Sequence, residues 1–349
     1  MRAAFNRFLE RDARFPTPDP AVLRFHKSLP GYQPTPLHSL PRLARELGVG
    51  GLLVKDESAR FGLKAFKALG ASWAVHRFLE RHRRARVTFA SATDGNHGRA
   101  VAWSARLTGN RAVIYVPRQT VRARIDAIRG EGAEVIVVDG TYDDAVRRAD
   151  HDSRLNGWQV ISDTAYPGYM EIPAWVMEGY STIFAEIEVR PNIIIVQAGV
   201  GGLAAAAVRH FTGAGLVCVQ PSDADGLLES VSSENGEPRS TLKTQRTIMA
   251  GLACGMPSLL AWPVLKRGVR LFMSVDDRFA VEAMRQLHPR IISGETGAAG
   301  LAGLIAICRE PEFAQSKEKL GLSGESSVLV INTEGDTDPE NYRAIVRDD

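Results

Sequence analysis

VKDESARFGLKAFKALGASWAV, Val54 to Val75, is the stretch around which the other motifs of this chain are arranged. It leaves an apolar strand end (Gly51-Leu-Leu-Val54), crosses a polar turn and enters a helix carrying Lys67. Phe66, Leu69 and Trp73 fall on one face of that helix, and Val75, Phe78 and Leu79 on others, so the spacing predicts a largely buried helix. An ammonium group loses much of its hydration energy on burial. Desolvation of this kind lowers a lysine pKa and makes the amine a good Schiff-base nucleophile towards an aldehyde. The alternative is a lysine that snorkels to solvent.

Downstream, apolar β-type runs alternate with helical stretches. The runs are Val87–Ala92, Ala112–Val116, Glu134–Val138, Trp158–Ile161, Ile193–Ala198, Leu216–Gln220, Leu271–Val275 and Ser327–Ile331. Helices are expected over stretches such as Gly98–Leu107, Tyr142–Leu155, Pro173–Ile187, Leu203–Phe211 and Ala298–Cys308. Such alternation predicts parallel sheets covered on both faces, and the 349-residue length predicts two α/β domains with a cleft between them. Residues 1–50 read as an irregular arm with one short helix at Pro41–Leu47, and Pro221–Thr247 as a flap or oligomer arm.

With 24% charged residues, 44% hydrophobic residues and a formal net charge of +3, the composition is that of an ordinary soluble globular protein and argues against nucleic-acid binding. The N-terminus, MRAAFNRFLERDARFP, is too polar for a secretory signal, and no stretch approaches a membrane span. Cys218, Cys254 and Cys308 read as reduced core residues of a cytoplasmic protein, with no metal-ligand spacing among them.

Three strand-to-helix turns bear polar groups. In SATDGNHG, the backbone N–H groups of Thr93 to Gly98 and the following helix dipole suit an anion such as a substrate carboxylate. Asn96 can reach a cofactor oxygen there, while Asp94 must pair with a cation or act as an acid or base; a plain Asp-Gly turn with Asn96 and His97 as caps is the competing reading. In IIIVQAGVGGLAAAA, Gly199, Val200, Gly201, Gly202 and Leu203 form a phosphate cup at a helix start. The same residues fit a dinucleotide pattern, but the next strand ends in Gln220-Pro221 where a ribose-binding acid would stand. In SVLVINTEGD, Thr333 can bond a ring nitrogen without forcing its protonation, unless this is simply an acidic turn. SDTAYPGYMEIP adds Asp163, Tyr166, Tyr169 and Glu171 just before a helix, and SGETGAAGL adds Glu295 and Thr296.

Taken together these segments resemble the fold-type II pyridoxal-phosphate enzymes, and within them the diaminopropionate ammonia-lyase family. KDESARFGLKAFKALG, ATDGNHGRAVAW, SDTAYPGYMEIPAWVMEGY, TIMAGLACG, SGETGAAGL and NTEGDTDPENY are similar to that family's segments and run from Lys55 to Tyr342. The resemblance implies two open, twisted, mostly parallel-sheet domains with the active site in the cleft. Residues 1–75 and 176–349 would form the larger, cofactor-binding domain and residues 76–175 the smaller. It implies pyridoxal 5′-phosphate as cofactor, Lys67 as its Schiff-base lysine, and Phe66, Asn96, Gly199 to Leu203, Glu295 and Thr333 as its contacts. Thr93, Asp94, Gly95, His97, Asp163 and Tyr166 would face the substrate. The implied reaction is α,β-elimination of 2,3-diaminopropionate, D or L, to pyruvate and ammonia by way of aminoacrylate, in a cytoplasmic homodimer binding a small amino acid and no metal. Lys67 would take the α-proton of one enantiomer and Asp94 that of the other. A dehydratase or β-replacement enzyme acting on serine or threonine is the alternative; the dehydratases carry a small residue where Asp94 stands. Pro167 and the second lysine, Lys64, depart from the expected pattern.

Overall fold

The computed structural model describes residues 1–10, 12–82, 86–93 and 95–347. Its strands, in chain order, are β1 (Arg2–Phe5), β2 (Leu37–Ser39), β3 (Gly51–Asp56), β4 (Thr88–Ala92), β5 (Arg111–Pro117), β6 (Glu134–Val138), β7 (Gln159–Val160), β8 (Ile193–Gln197), β9 (Gly215–Pro221), β10 (Leu271–Val275) and β11 (Ser327–Asn332). They form two sheets, one of seven strands ordered β1-β10-β9-β8-β11-β3-β2 and one of four ordered β6-β5-β4-β7. The small sheet is wholly parallel, and the large one is parallel except where β1 and β2 pair antiparallel at its two edges. The mixed, mostly parallel α/β architecture expected from the alternating pattern is what the chain adopts. β8 and β10 are buried at every position because helices cover both faces of the sheet, which is why they read as unbroken apolar runs.

The first 50 residues depart from the irregular arm expected of them. Besides the short helix at Pro41–Leu47, they contribute both edge strands and a helix at Pro20–Ser28, started by Asp19 accepting from the Ala21 N–H. RAAF and LHS are too short to show an alternating pattern, and the large sheet supplies their pairing. Part of the expected flap is likewise a helix, Gly226–Ser232. The stretch expected as one helix over Pro173–Ile187 is two, Glu171–Gly179 and Ser181–Ala185, with Tyr180 between them.

The helix bearing Lys67 spans Lys67–His82 and is buried from Ala68 through Val75. It crosses the helix Glu171–Gly179 at Gly70 and Gly179: a Cβ on Gly179 would stand 2.5 Å from the Leu69 carbonyl, and one on Gly70 2.7 Å from that of Val176. Only glycine at both positions lets the two backbones approach so closely.

Four cations share the opening stretch, and the structure gives each a different fate. Lys55 and Arg60 are buried and bond Glu186 at 2.6 and 2.8 Å, while Arg60 also bonds Glu57 at 2.7 Å. Their charges hold the Glu186 carboxyl below its ordinary range although burial alone would raise it. Lys64 lies at the surface on Asp336, 2.7 Å away. Lys67 alone of the four turns towards the space between the sheets.

His26, fully buried, stands 2.6 Å from Thr182 Oγ1 through Nδ1 and 3.0 Å from the Leu69 carbonyl through Nε2. A carbonyl only accepts, so Nε2 carries a hydrogen, and the Thr182 hydroxyl can serve Nδ1 in the neutral ring that burial favours. Burial pushes its pKa down to about 3. The unfolded chain therefore binds this proton first: the stability is complete above the unfolded value of about 6.5 and is lost as the pH falls towards the folded one. In denaturation at pH 6.5, 5.5 and 4.5, the wild type should lose about 1 kcal/mol more than His26→Gln over the first unit and about 1.3 kcal/mol more over the second. Parallel losses would remove the ring from any part in acid sensitivity.

Candidate active site

A cavity of about 270 Å³ lies between the two sheets, lined by Lys67, the ends of β4, β8 and β11, the Asp163–Thr164 turn and the loop from Ala250 to Met256. Lys67 begins its helix with Nζ 2.5 Å from Asp163 Oδ2, and its ammonium lies over the rings of Phe66 and Tyr180 at 5.2 and 5.8 Å. Its side chain is 21% exposed, so it does not snorkel into bulk solvent.

The expected depression of the Lys67 pKa is not what the structure shows. Burial pulls the amine down, but the Asp163 carboxylate outweighs it and holds the pKa above the ordinary lysine value. Asp163 is shifted the opposite way: burial would raise its carboxyl, and the Lys67 charge takes it below the ordinary range. Without a cofactor the pair is an ammonium and a carboxylate, and the amine becomes a nucleophile only after giving up its proton.

Gly199 to Leu203, expected as a phosphate cup, line the same cavity as Lys67. Gly201 has φ +103°, a left-handed conformation that costs an L-residue about 1 kcal/mol or more, and it turns the chain from β8 into the helix Gly202–His210. The first N–H groups of that nine-residue helix have no intrahelical partner and point to the cavity end of the axis, where an anion is favoured. The dinucleotide reading fails at the next strand: Gln220 Oε1 accepts from the Leu227 and Leu228 N–H groups at 2.9 and 3.1 Å and so caps the following helix.

On the small-sheet side, Thr93, Gly95, Asn96 and His97 all line the cavity. Thr93 Oγ1 accepts from the N–H groups of Gly95 and Gly98 at 3.0 and 3.2 Å, closing the turn. Asp94 lies outside the described residues. His97 donates from Nε2 to the Ile161 carbonyl at 3.0 Å, and its Nδ1 meets no partner among the described residues. Burial lowers its pKa, with the nearby Asp163 charge opposing, so the ring is a neutral acceptor at Nδ1.

Thr333, at the end of β11, lines the cavity as expected, and its hydroxyl accepts from Gln197 Nε2 at 3.0 Å. Its neighbour Glu334 accepts from Asn96 Nδ2, and from the Thr296 N–H at 3.2 Å. Neither Gln197 nor Glu334 is among the site residues expected from the sequence. Each position carries only a local mark: Gln197 is the polar residue closing the run IIIV, and Glu334 directly follows Thr333. Arg124 and Tyr180 are further cavity residues without a sequence signal.

Two expected contacts do not reach the cavity. Glu295 is buried behind it, bonded by Asn341 Nδ2, with its carboxyl raised by burial and by the Glu334 charge; Thr296 takes the wall position. Tyr166 is 43% exposed and stacks on Tyr169 with ring centres 5.0 Å apart, outside the cavity wall. Cys254, expected in the core, is half-buried on the cavity wall against Gly199, whose Cβ would stand 3.0 Å from its Sγ.

An amine, an anion cup at a helix start, an amide and a hydroxyl thus converge on one cavity. This donor set fits a planar phosphorylated aldehyde with a ring hydroxyl and a ring nitrogen. Residues 29–334 match the family of pyridoxal-phosphate dependent enzymes. The chain is 41% identical over 358 residues to the diaminopropionate ammonia-lyase of Escherichia coli K12, covering 93% of this chain and 89% of that protein. Crystal structures of the Escherichia coli diaminopropionate ammonia lyase superpose closely. The complex with D-serine gives a TM-score of 0.92 at 38% identity, covering 99% of this chain and 96% of that one. The complex with an aminoacrylate-PLP azomethine reaction intermediate gives 0.91 at 40%, with the same coverage. The chain belongs to the pyridoxal-phosphate-dependent enzymes and, among them, to the diaminopropionate ammonia-lyase family.

Proposed function

We propose that this chain is a pyridoxal-phosphate-dependent carbon–nitrogen lyase that eliminates ammonia from 2,3-diaminopropionate and yields pyruvate and a second ammonia. The observation that carries the reading is Asp163, a carboxylate 2.5 Å from the reactive amine inside the cavity. Lys67 would hold the cofactor covalently, Gly199 to Leu203 its phosphate, Asn96 its ring hydroxyl and Thr333 its ring nitrogen. When bound, that group supplies an electron sink for the charge left at the substrate α-carbon.

The remaining work falls to side chains. Thr93, Gly95 and His97 sit where the N-terminus of the helix Asn96–Leu107 favours the substrate α-carboxylate. Lys67 Nζ would carry the α-proton on one face of the substrate. As substrate enters, a Lys67 held by the cofactor would not neutralise Asp163, and a carboxylate in this cavity would need another cation. The β-ammonium of diaminopropionate is that cation. It also leaves as neutral ammonia without a proton donor, whereas the hydroxyl of serine needs one. Measured side by side, D- and L-diaminopropionate should be turned over with kcat/KM about 100-fold or more above serine and threonine, releasing two ammonia per pyruvate. A preference for serine or threonine would make the chain a dehydratase.

Asp94 is assigned the α-proton on the opposite face, a role that rests on the family resemblance. General-base catalysis contributes about 10²- to 10⁴-fold, so Asp94→Asn should lower D-diaminopropionate turnover by that factor and leave the L-enantiomer within about threefold. Equal losses on both would make Asp94 a binding residue. The same resemblance supports a cytoplasmic homodimer; sedimentation equilibrium giving twice the chain mass would agree with it, and the single-chain mass would not.

A further inference from the structure

We infer that Gln197 is a positioning residue that fixes the Thr333 hydroxyl as a hydrogen-bond donor into the cavity and so keeps the cofactor's ring nitrogen unprotonated. The inference rests on the cofactor reading above. Gln197 ends β8 and is 2% exposed. Its Nε2 stands 3.0 Å from four oxygens, the carbonyls of Thr296, Gly297 and Ile331 and the hydroxyl of Thr333. Carbonyl oxygens only accept, so the nitrogen must face them; the reversed amide would set Oε1 against three carbonyls. Oε1 instead points away, without a partner among the described residues, beside Gly300, where a Cβ would crowd it at 3.0 Å.

The consequence is felt at Thr333. The amide has two hydrogens to share among these four oxygens, and as the nitrogen has no lone pair to offer, the Thr333 oxygen can only accept from it; among the described residues the Thr333 proton goes to no protein acceptor. Thr333 is 1% exposed, and that exposure faces the cavity. A hydroxyl held this way presents a proton, which suits a pyridine nitrogen with a free lone pair and disfavours a protonated one. An unprotonated ring is a weaker electron sink. That suits an elimination in which the β-group departs as the α-charge develops.

The test combines cofactor affinity with a direct view of the ring. Apo forms of wild type, Gln197→Met, Thr333→Val and the double variant would be titrated with pyridoxal phosphate, and the ¹⁵N shift of ring-labelled cofactor followed from pH 6 to 9. Each single variant should weaken binding about tenfold and the double variant also about tenfold, because both remove one interaction. The ring nitrogen should stay unprotonated across the range in the wild type and move towards the protonated shift in Gln197→Met. Multiplied losses near 100-fold, or an unchanged nitrogen shift, would reduce Gln197 to packing and overturn the inference. Should Gln197→Met not fold, the side-chain amide resonance of Gln197 itself serves: it should shift on cofactor binding in the wild type and not in Thr333→Val. A shift of equal size in both overturns the inference. A wild type that binds no pyridoxal phosphate would overturn the cofactor reading itself.

Discussion

Lys67→Ala should lower turnover of diaminopropionate by at least about 10⁴-fold and leave no cofactor attached to the denatured chain after borohydride treatment. Among the described residues no other lysine lines the cavity. Lys64, three residues earlier, is tied to Asp336 at 2.7 Å on the far side of the Asn96 turn, and Lys55 is buried in the ion cluster around Glu186. Lys64→Ala should therefore leave turnover within a few-fold of wild type. The Lys67 variant should also bind cofactor less tightly, since Asp163 then stands in the cavity with neither of its cations. Retained, reducible attachment in Lys67→Ala would reassign the reactive amine.

Asp163→Asn separates the carboxylate's hold on Lys67 from its proposed role towards substrate. In the free enzyme it holds the Lys67 amine protonated, above the ordinary lysine value. The asparagine variant loses that charge, so burial should bring the amine pKa down and covalent capture of the cofactor should extend to lower pH. Towards substrate, the same change would remove the proposed counter-ion of the β-ammonium. Truncating one partner of a buried ion pair costs about 2–5 kcal/mol, so kcat/KM for diaminopropionate should fall by about 100-fold or more. Serine has no β-charge and should change far less, and the ratio between the two substrates is the informative quantity. Equal losses on both would mean that Asp163 serves only the lysine.

Which parts of this molecule were legible in its sequence follows from how local their causes are. The parallel core was legible because runs such as IIIVQ and LFMSV must be buried on both faces wherever they sit. The cup was legible because a left-handed turn before a helix needs glycine, here Gly201. β1 and β2 were not, since three or four residues without alternation acquire strand geometry only from a sheet already formed beside them. The same holds in the site. Lys67, Asn96 and Thr333 stand in segments whose order along the chain carries meaning. Glu334 and Gln197 act through bonds to residues 238 and 136 positions away, and no spacing rule encodes those. Glu295 and Tyr166 show the converse: a suggestive segment delivered Thr296 and Asp163 to the cavity while their neighbours faced elsewhere. The lysine pKa failed for the same reason. Burial could be read from the helix pattern, but the carboxylate that reverses its effect comes from 96 residues downstream.

The most direct measurement is the site of covalent attachment. Wild-type enzyme loaded with pyridoxal phosphate, reduced with borohydride and digested, should yield the phosphopyridoxyl group on a single peptide, carried by Lys67. A label on Lys64 or any other lysine, or no label at all, would contradict the assignment on which the cofactor site, the proton transfers and the role of Asp163 rest.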